Sequence, residues 1–242
     1  MKERLEFIIN SQDRVSGTSS DYTIQLRDYI RLPSGKFPTK CKVIGINFTN
    51  GLNNVNANNN TIVIFETGAT SNTTITLPIG TYNASQLATQ LQTSFNAATQ
   101  VANTYTVTYS TYTYGFTITA NTHTFAFVGT YILLGMLNNT TASLTQTSSQ
   151  GAKLLFDFVV VKTDIIGHYV TSNRSNNYGS FIIPLGSCDL GTTTYIGRQN
   201  LPEVKRVFFP NLNNFHVSIY DQYSNLVNLN NFDHQIILEI YE

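Results

Sequence analysis

The chain has 242 residues, with 14 basic and 14 acidic side chains and therefore no formal net charge. Charged residues make up 12% of it, well below the ~25% of an average protein, while 33 Thr and 27 Asn supply much of the polarity. The neutral balance argues against nucleic-acid binding through counterion release, and 41% apolar residues with 15 Phe and 14 Tyr exclude a disordered chain.

Period-2 alternation of apolar and polar residues predicts a chain built mainly of β-strands. Segments 104–109 and 112–119 both alternate with threonine, which predicts a hairpin that turns near Ser110 and Thr111. Many short, evenly spaced strands indicate a sandwich or barrel. In chain order the predicted strands are Tyr22–Leu26, Cys41–Phe48, Thr61–Phe65, Thr73–Leu77, Thr104–Tyr109, Tyr112–Thr119, His123–Val128, Leu154–Lys162, Ser180–Leu185, Val204–Phe209, Phe215–Tyr220 and Gln235–Tyr241.

One amphipathic helix is predicted at about residues 84–98. The segment Asn83–Gln86 resembles a capping box, in which the Asn83 side chain accepts from a backbone N–H of the first turn. Leu87, Leu91 and Phe95 then follow at spacings of four and form one apolar stripe. The opposite face is polar without Lys or Arg, so we expect the helix to lie on a sheet and not on a membrane.

Charges are absent from Thr67 to Ala152, a stretch of 86 residues, so all 28 charged residues lie in the remaining 156. Two interpretations remain open. A biased composition can empty a segment of charge without any functional reason. Alternatively, this segment packs against other subunits, where a charge would carry a desolvation cost.

The residues that usually carry catalysis or bind metals show no productive spacing. The four histidines are His123, His168, His216 and His234, and none is at metal-ligand spacing from another. Cys41 and Cys188 lie 147 residues apart, so neither a disulfide framework nor a zinc knuckle is predicted. No nucleophile elbow or phosphate-binding loop occurs. We therefore expect no cofactor, no bound metal and no enzymatic activity.

Basic residues form two local groups in the sequence. Lys36, Lys40 and Lys42 make the first, and Arg198 with the adjacent pair Lys205–Arg206 makes the second. Each group is either a patch that faces nucleic acid or ordinary solvated charge, and the overall neutrality favours the latter. No apolar run approaches 18 residues, and we expect no membrane span.

Several segments follow one another in an order that is informative as a whole. They are Ile9–Arg14, Ser20–Leu26, Leu77–Asn83 before the predicted helix, Leu133–Leu137 after the aromatic hairpin, Phe215–Asp221, and the final strand Gln235–Tyr241. In this order they resemble the minor capsid, or penton, proteins of virophages, polinton-like viruses and related large DNA viruses.

The resemblance implies an all-β fold, an antiparallel jelly-roll sandwich of eight main strands. We expect one domain over residues 1–242. Because the twelve predicted strands exceed eight, we expect the segment at about 73–128, which contains the helix and a β-hairpin, to be an insertion. The protein would be a structural virion component, made in the host cytoplasm, whose pentamers close the fivefold vertices of an icosahedral capsid. Its partners would be copies of itself, the major capsid protein and other minor capsid proteins.

Three charged residues around the first predicted strand, Arg14, Asp21 and Arg27, are candidates for salt bridges between subunits. Two other functions compete with the penton interpretation. Another minor capsid or cement protein would share the fold, and a β-sandwich module could bind carbohydrate or a receptor through its neutral, Tyr-rich loops. An enzyme of the cupin type would need clustered His and Glu ligands, which the spacing does not offer.

Overall fold

A computed structural model describes residues 3–136, 139–167, 179–185, 191–197, 206–210 and 213–242. The chain divides into two compact units. The flanking unit contains residues 1–52 and 156–242, and the central unit contains residues 53–155. In the central unit the strands are β5 (Thr61–Glu66), β6 (Thr73–Thr76), β7 (Tyr105–Ser110), β8 (Gly115–Ala120), β9 (Phe125–Phe127) and β10 (Thr145–Thr147), and the helix is α1 (Ala84–Ala98).

The flanking unit is built of two antiparallel sheets. Its strands are β1 (Arg4–Asn10), β2 (Arg14–Gly17), β3 (Asp21–Gln25), β4 (Lys40–Thr49), β11 (Phe158–Thr163), β12 (Ile166–Gly167), β13 (Gly179–Pro184), β14 (Thr193–Gly197), β15 (Arg206–Phe208), β16 (Asn214–Asp221) and β17 (Gln235–Tyr241). The first sheet has the order β1-β17-β4-β15-β12, and β14 also pairs with β4. The second has the order β13-β11-β16-β3-β2.

Both sheets of the flanking unit contribute alternate residues to one apolar core. In β17 the buried residues are Ile236, Leu238 and Ile240, and their neighbours along the strand are only half-buried. Strand β16 of the other sheet buries Phe215 and Val217 in the same core. Because each such side chain contributes about 1.5–3 kcal/mol when fully buried, the two layers depend on each other. This all-β, jelly-roll-like antiparallel sandwich confirms the predicted fold class.

The central unit has two three-stranded sheets and a helix around a second core. The sheet orders are β10-β8-β7 and β6-β5-β9. Helix α1 begins and ends where the sequence predicts, and its stripe residues Leu87, Leu91 and Phe95 are completely buried. The capping box is also confirmed, since the backbone N–H of Gln86 donates to Asn83 Oδ1 and that of Asn83 donates to Gln86 Oε1, both at 2.9 Å.

The predicted hairpin forms, but its turn is longer than expected. Ser110 pairs with Gly115, so a four-residue turn takes up part of the segment predicted as the second strand. Tyr114 adopts a left-handed φ of 53°, and Tyr112 is 93% exposed. The predicted strand began too early because Tyr112 and Tyr114 fit the alternating pattern as apolar residues, although a tyrosine can also be exposed in a turn.

Several strands of the structure have no counterpart in the prediction: β1, β2, β10, β12 and β14. Each of the predicted strands, by contrast, overlaps a strand in the structure. The predicted insertion at about 73–128 lies inside the central unit, which extends further at both ends. That this unit is an insertion into a single domain stays a prediction.

Candidate functional site

The candidate interface residue Arg14 is engaged inside its own unit. Its Nη1 donates to Asp233 Oδ1 at 2.8 Å and to the backbone oxygen of Ser11 at 2.7 Å. The Ser11 hydroxyl donates to the same carboxylate oxygen at 2.9 Å. Burial would raise the pKa of Asp233, but the hydrogen bonds from Ser11 and Arg14 lower it below its usual value. The arrangement links the start of β2 to the loop before β17.

The other two candidates lie in different surroundings. Asp21 Oδ1 on β3 is 2.7 Å from Nε2 of His216 on β16, and both side chains are 41% exposed. Arg27 is exposed, and in the described part of the chain it forms no ion pair. The structure therefore places Arg14 and Asp21 in separate pairs instead of one cluster. A role of the three residues between subunits stays a prediction.

The three described histidines, His123, His216 and His234, lie on or before different strands. His234 is 2% exposed, and its Nε2 is 3.0 Å from the hydroxyl of Tyr22. Its Nδ1 is buried and forms no hydrogen bond with any described residue. Burial lowers the pKa of His234 to about 4, so the ring is neutral at pH 7. His123 is half-buried in the central unit, and His168 lies outside the described residues.

Among the further reactive and basic candidates within the described residues are Cys41, Lys36 and Lys42. Cys41 is completely buried on β4. Lys42 Nζ lies 2.8 Å from Glu239 Oε2, and Lys36 Nζ lies 3.0 Å from Glu242 Oε1, so both lysines are paired with carboxylates. Outside the described residues lie Cys188, Arg198 and Lys205. Over the described ranges no group of three or more His, Cys, Asp or Glu side chains could hold a metal ion.

Glu66, at the end of β5, is a buried carboxylate that the sequence analysis did not single out. It is completely buried, and it accepts from the Thr73 and Thr99 hydroxyls at 2.6 Å each and from the Tyr105 hydroxyl at 2.8 Å. The backbone N–H of Gln100 donates at 3.1 Å. Burial would raise the pKa of Glu66, but these hydrogen bonds lower it. The sequence gives one indication that Glu66 is unusual: it is the last charged residue before the neutral segment that begins at Thr67.

The flanking unit also carries a surface depression of about 460 Å³. Its lining comes from the end of β1 and the turn after it, the end of β4, the start of β14 and the loop that leads into β17. Side chains that line it include Asn47, Thr49, Thr193, Phe232, His234 and Gln235. Most of these are uncharged hydrogen-bonding groups, so the depression suits binding better than acid–base or nucleophilic chemistry.

No helix in the described ranges is long and apolar enough to cross a membrane.

Comparison with known proteins gives a likeness in fold alone. No family model matches the sequence, and no curated protein sequence matches it. Among solved structures, the crystal structure of the selenomethionine-labelled mavirus penton protein superposes with a TM-score of 0.55 at 12% sequence identity. The superposition covers 99% of this chain and 99% of that chain. The resemblance noted in the sequence is thus confirmed at the level of fold, over the whole length.

Proposed function

We propose that this protein is a structural component of an icosahedral virus capsid and that it forms the pentamer at each fivefold vertex. The observation that carries the proposal is the likeness to a penton protein over 99% of both chains. A likeness of that extent includes the central unit as well as the sandwich. The proposal assigns the protein no catalytic step and places it in the virion.

The edges of the sandwich support an assembly of this kind. Strand β1 ends the order of the first sheet, and β2 ends that of the second. Exposed apolar side chains lie on these strands, with Ile8 51% and Val15 59% exposed. An edge strand with exposed apolar residues invites uncontrolled pairing unless another chain covers it. A closed ring covers it in every copy, because one face of each subunit meets a different face of the next.

The charge pattern supports the same conclusion. Arg4, Lys42 and Glu239 form one internal ion-pair group on the first sheet, and Arg14 pairs internally with Asp233. These charges are therefore already compensated within the subunit. The long neutral segment of the central unit can approach a neighbouring capsid protein without burying an unpaired charge.

Light scattering coupled to size-exclusion chromatography tests the pentamer directly. We expect a species of five times the 27.0 kDa chain mass, and a fivefold ring in negative-stain images. The variant Ile8→Lys places a charge on the β1 edge and should shift the population towards monomer, whereas Ile8→Val should assemble normally. A wild-type protein that remains monomeric at high concentration, and does not join shells of the major capsid protein when the two are co-expressed, would contradict the proposal.

A cement protein is the remaining structural alternative. Cement proteins sit between other capsid subunits, so the purified chain would bind assembled shells without forming a ring by itself. Counting copies per shell by quantitative mass spectrometry separates the two roles, because fivefold vertices require five copies at each vertex.

A further inference from the structure

We propose that the depression in the flanking unit is a binding site for a neutral sugar residue, a pyranose within a glycan. Its volume of about 460 Å³ lies within the range of roughly 300–1,000 Å³ typical of small-molecule sites. This inference does not require the capsid role, since it concerns a site on a single copy of the chain.

The hydrogen-bonding groups of the depression are arranged in pairs. Asn47 Nδ2 donates to Gln235 Oε1 at 3.0 Å, which orients the Gln235 amide. The amide's Nε2 finds no acceptor among the described residues and is available as a donor. Thr49 Oγ1 and Thr193 Oγ1 lie 2.7 Å apart, and only one of the two hydroxyls donates in that bond. Together these groups offer both donors and acceptors, as vicinal hydroxyls of a sugar require.

An aromatic side chain lies beside these polar groups. Phe232 is 42% exposed and lines the depression. Its ring packs against Gly51, where a β-carbon would collide with the ring and with the backbone oxygen of Leu229. Asn230 Nδ2 also donates to the backbone oxygen of Gly51 at 2.6 Å, which fixes the loop. The platform is therefore held in place before a ligand arrives, and its flat apolar face suits the C–H face of a pyranose.

The charges around the depression favour a neutral ligand. Asp233 is a lining residue, and Arg14 compensates its charge at 2.8 Å. Among the described residues that line the depression there is no Lys or Arg, so an anionic ligand would find no lining cation there. A cationic ligand would compete with an ion pair that is already formed. A neutral ligand with many hydroxyl groups avoids both costs.

A buried ring nitrogen lies below the floor of the depression. His234 lines the depression and is 2% exposed, yet its Nδ1 is unpartnered among the described residues. Since Nε2 already bonds with the Tyr22 hydroxyl, either tautomer leaves Nδ1 unsatisfied as a donor or as an acceptor. A buried polar atom without a partner in a folded protein calls for a bound water or ligand group.

A glycan array tests the proposal with the full-length protein, with neutral glycans printed beside sialylated and sulphated ones. We expect saturable binding to neutral glycans that a free methyl pyranoside of the bound sugar inhibits and glycerol does not. No binding to any neutral glycan, a preference for anionic glycans, or equal inhibition by glycerol would each overturn the proposal.

Substitutions at Phe232 and Thr193 test whether the glycan binds in this depression. Phe232→Ala should weaken binding roughly tenfold or more, and Phe232→Tyr should keep it, because the stacking face survives. Thr193→Val, which removes one exposed hydroxyl, should weaken binding several-fold. Tyr223→Ala is the matched control, since Tyr223 is an exposed aromatic residue that does not line the depression. Undiminished binding by a correctly folded Phe232→Ala variant would contradict the site, and so would loss of the oligomer in that variant, which would make the depression a contact between copies.

Discussion

The hydroxyl of Tyr22 lies 3.0 Å from Nε2 of His234, and the two side chains are only 1% and 2% exposed. Burial lowers the pKa of His234 to about 4 and raises that of Tyr22. Neither group is charged at neutral pH. Tyr22 on β3 belongs to the second sheet, and His234 immediately precedes β17 of the first, so this bond joins the two layers of the sandwich.

The depressed pKa of His234 predicts acid lability of the flanking unit. The unfolded chain takes up a proton near pH 6.5, whereas the folded protein does so only near pH 4, so stability is full above pH 6.5 and falls as the pH drops towards 4. The loss should reach roughly 3 kcal/mol. Urea denaturation at half-unit steps between pH 7.5 and 4 measures it.

The matched variants for this pH dependence are Tyr22→Phe/His234→Phe and His123→Gln. The double variant removes both polar partners and should flatten the pH dependence between 6.5 and 4. His123→Gln changes a half-buried histidine of the other unit and should keep the dependence. An unchanged slope in the double variant would show that His234 is not its source.

Glu66→Gln should destabilise the central unit by about 2–4 kcal/mol, because an amide NH₂ would face donors where the carboxylate accepts. Thr73, Thr99, Tyr105 and the backbone N–H of Gln100 are those donors. Since the pKa of Glu66 is lowered, its contribution is present above pH 4.5 and is lost as the pH falls through the folded-state pKa. Near-UV circular dichroism during denaturation follows the unfolding of the aromatic core of this unit. The control is Asp13→Asn, at an exposed carboxylate, which should change the free energy of unfolding by less than about 0.5 kcal/mol.

Lys42 and Arg4, the two cations that pair with Glu239, should contribute different amounts to the free energy of unfolding. The Lys42 and Glu239 side chains are each 12% exposed, whereas that of Arg4 is 58% exposed. We expect Lys42→Met to cost about 1–3 kcal/mol and Arg4→Ala less than about 1 kcal/mol, since solvent screens the exposed pair. Guanidinium denaturation is unsuitable because it is itself a salt, so urea denaturation at 0.05 and 1 M NaCl provides the measurement. Equal costs for the two variants would contradict this ranking.

Gly51→Ala should displace the ring of Phe232, because the added β-carbon would collide with that ring and with the backbone oxygen of Leu229. Because a backbone oxygen can move away only if the chain around it rearranges, we expect the free energy of unfolding to fall by at least about 2 kcal/mol. Gly151→Ala is the control, since its β-carbon meets only ordinary contacts of 3.6 Å or more. Thermal unfolding compares the two variants, and a Gly51→Ala protein as stable as wild type would disprove the close packing.

Elements that depend on local pattern were predictable. Helix α1 was predicted at about 84–98 and spans Ala84–Ala98, because its cap and its apolar stripe lie within sixteen consecutive residues. Strand β17 was predicted with both ends correct, since it contains the continuous apolar run Ile236–Leu238 and ends in two further apolar residues, Ile240 and Tyr241. In both cases the residues that determine the element are also the residues that form it.

Elements that depend on distant partners were missed. Strand β14 begins Thr193-Thr194 and has little alternation of its own, and it exists because it pairs with Gly45–Thr49, far away in the chain. Strand β1 carries charges among its apolar residues and pairs with β17 at the other end of the sequence. No local pattern reports such pairings, because the backbone groups that form them are the same in every residue.

The sequence by itself determined the β-rich class, the helix and its cap, and the long neutral segment, since composition and periodicity encode burial and local hydrogen bonding. Only the tertiary structure decided which of 60 Thr and Asn side chains work together. In the folded chain the hydroxyls of Thr73, Thr99 and Tyr105 donate to Glu66. Asn47, Gln235 and Thr193 line the same depression. An amide or hydroxyl can bond to almost any polar neighbour, so its role follows from where the long-range pairing of strands places it.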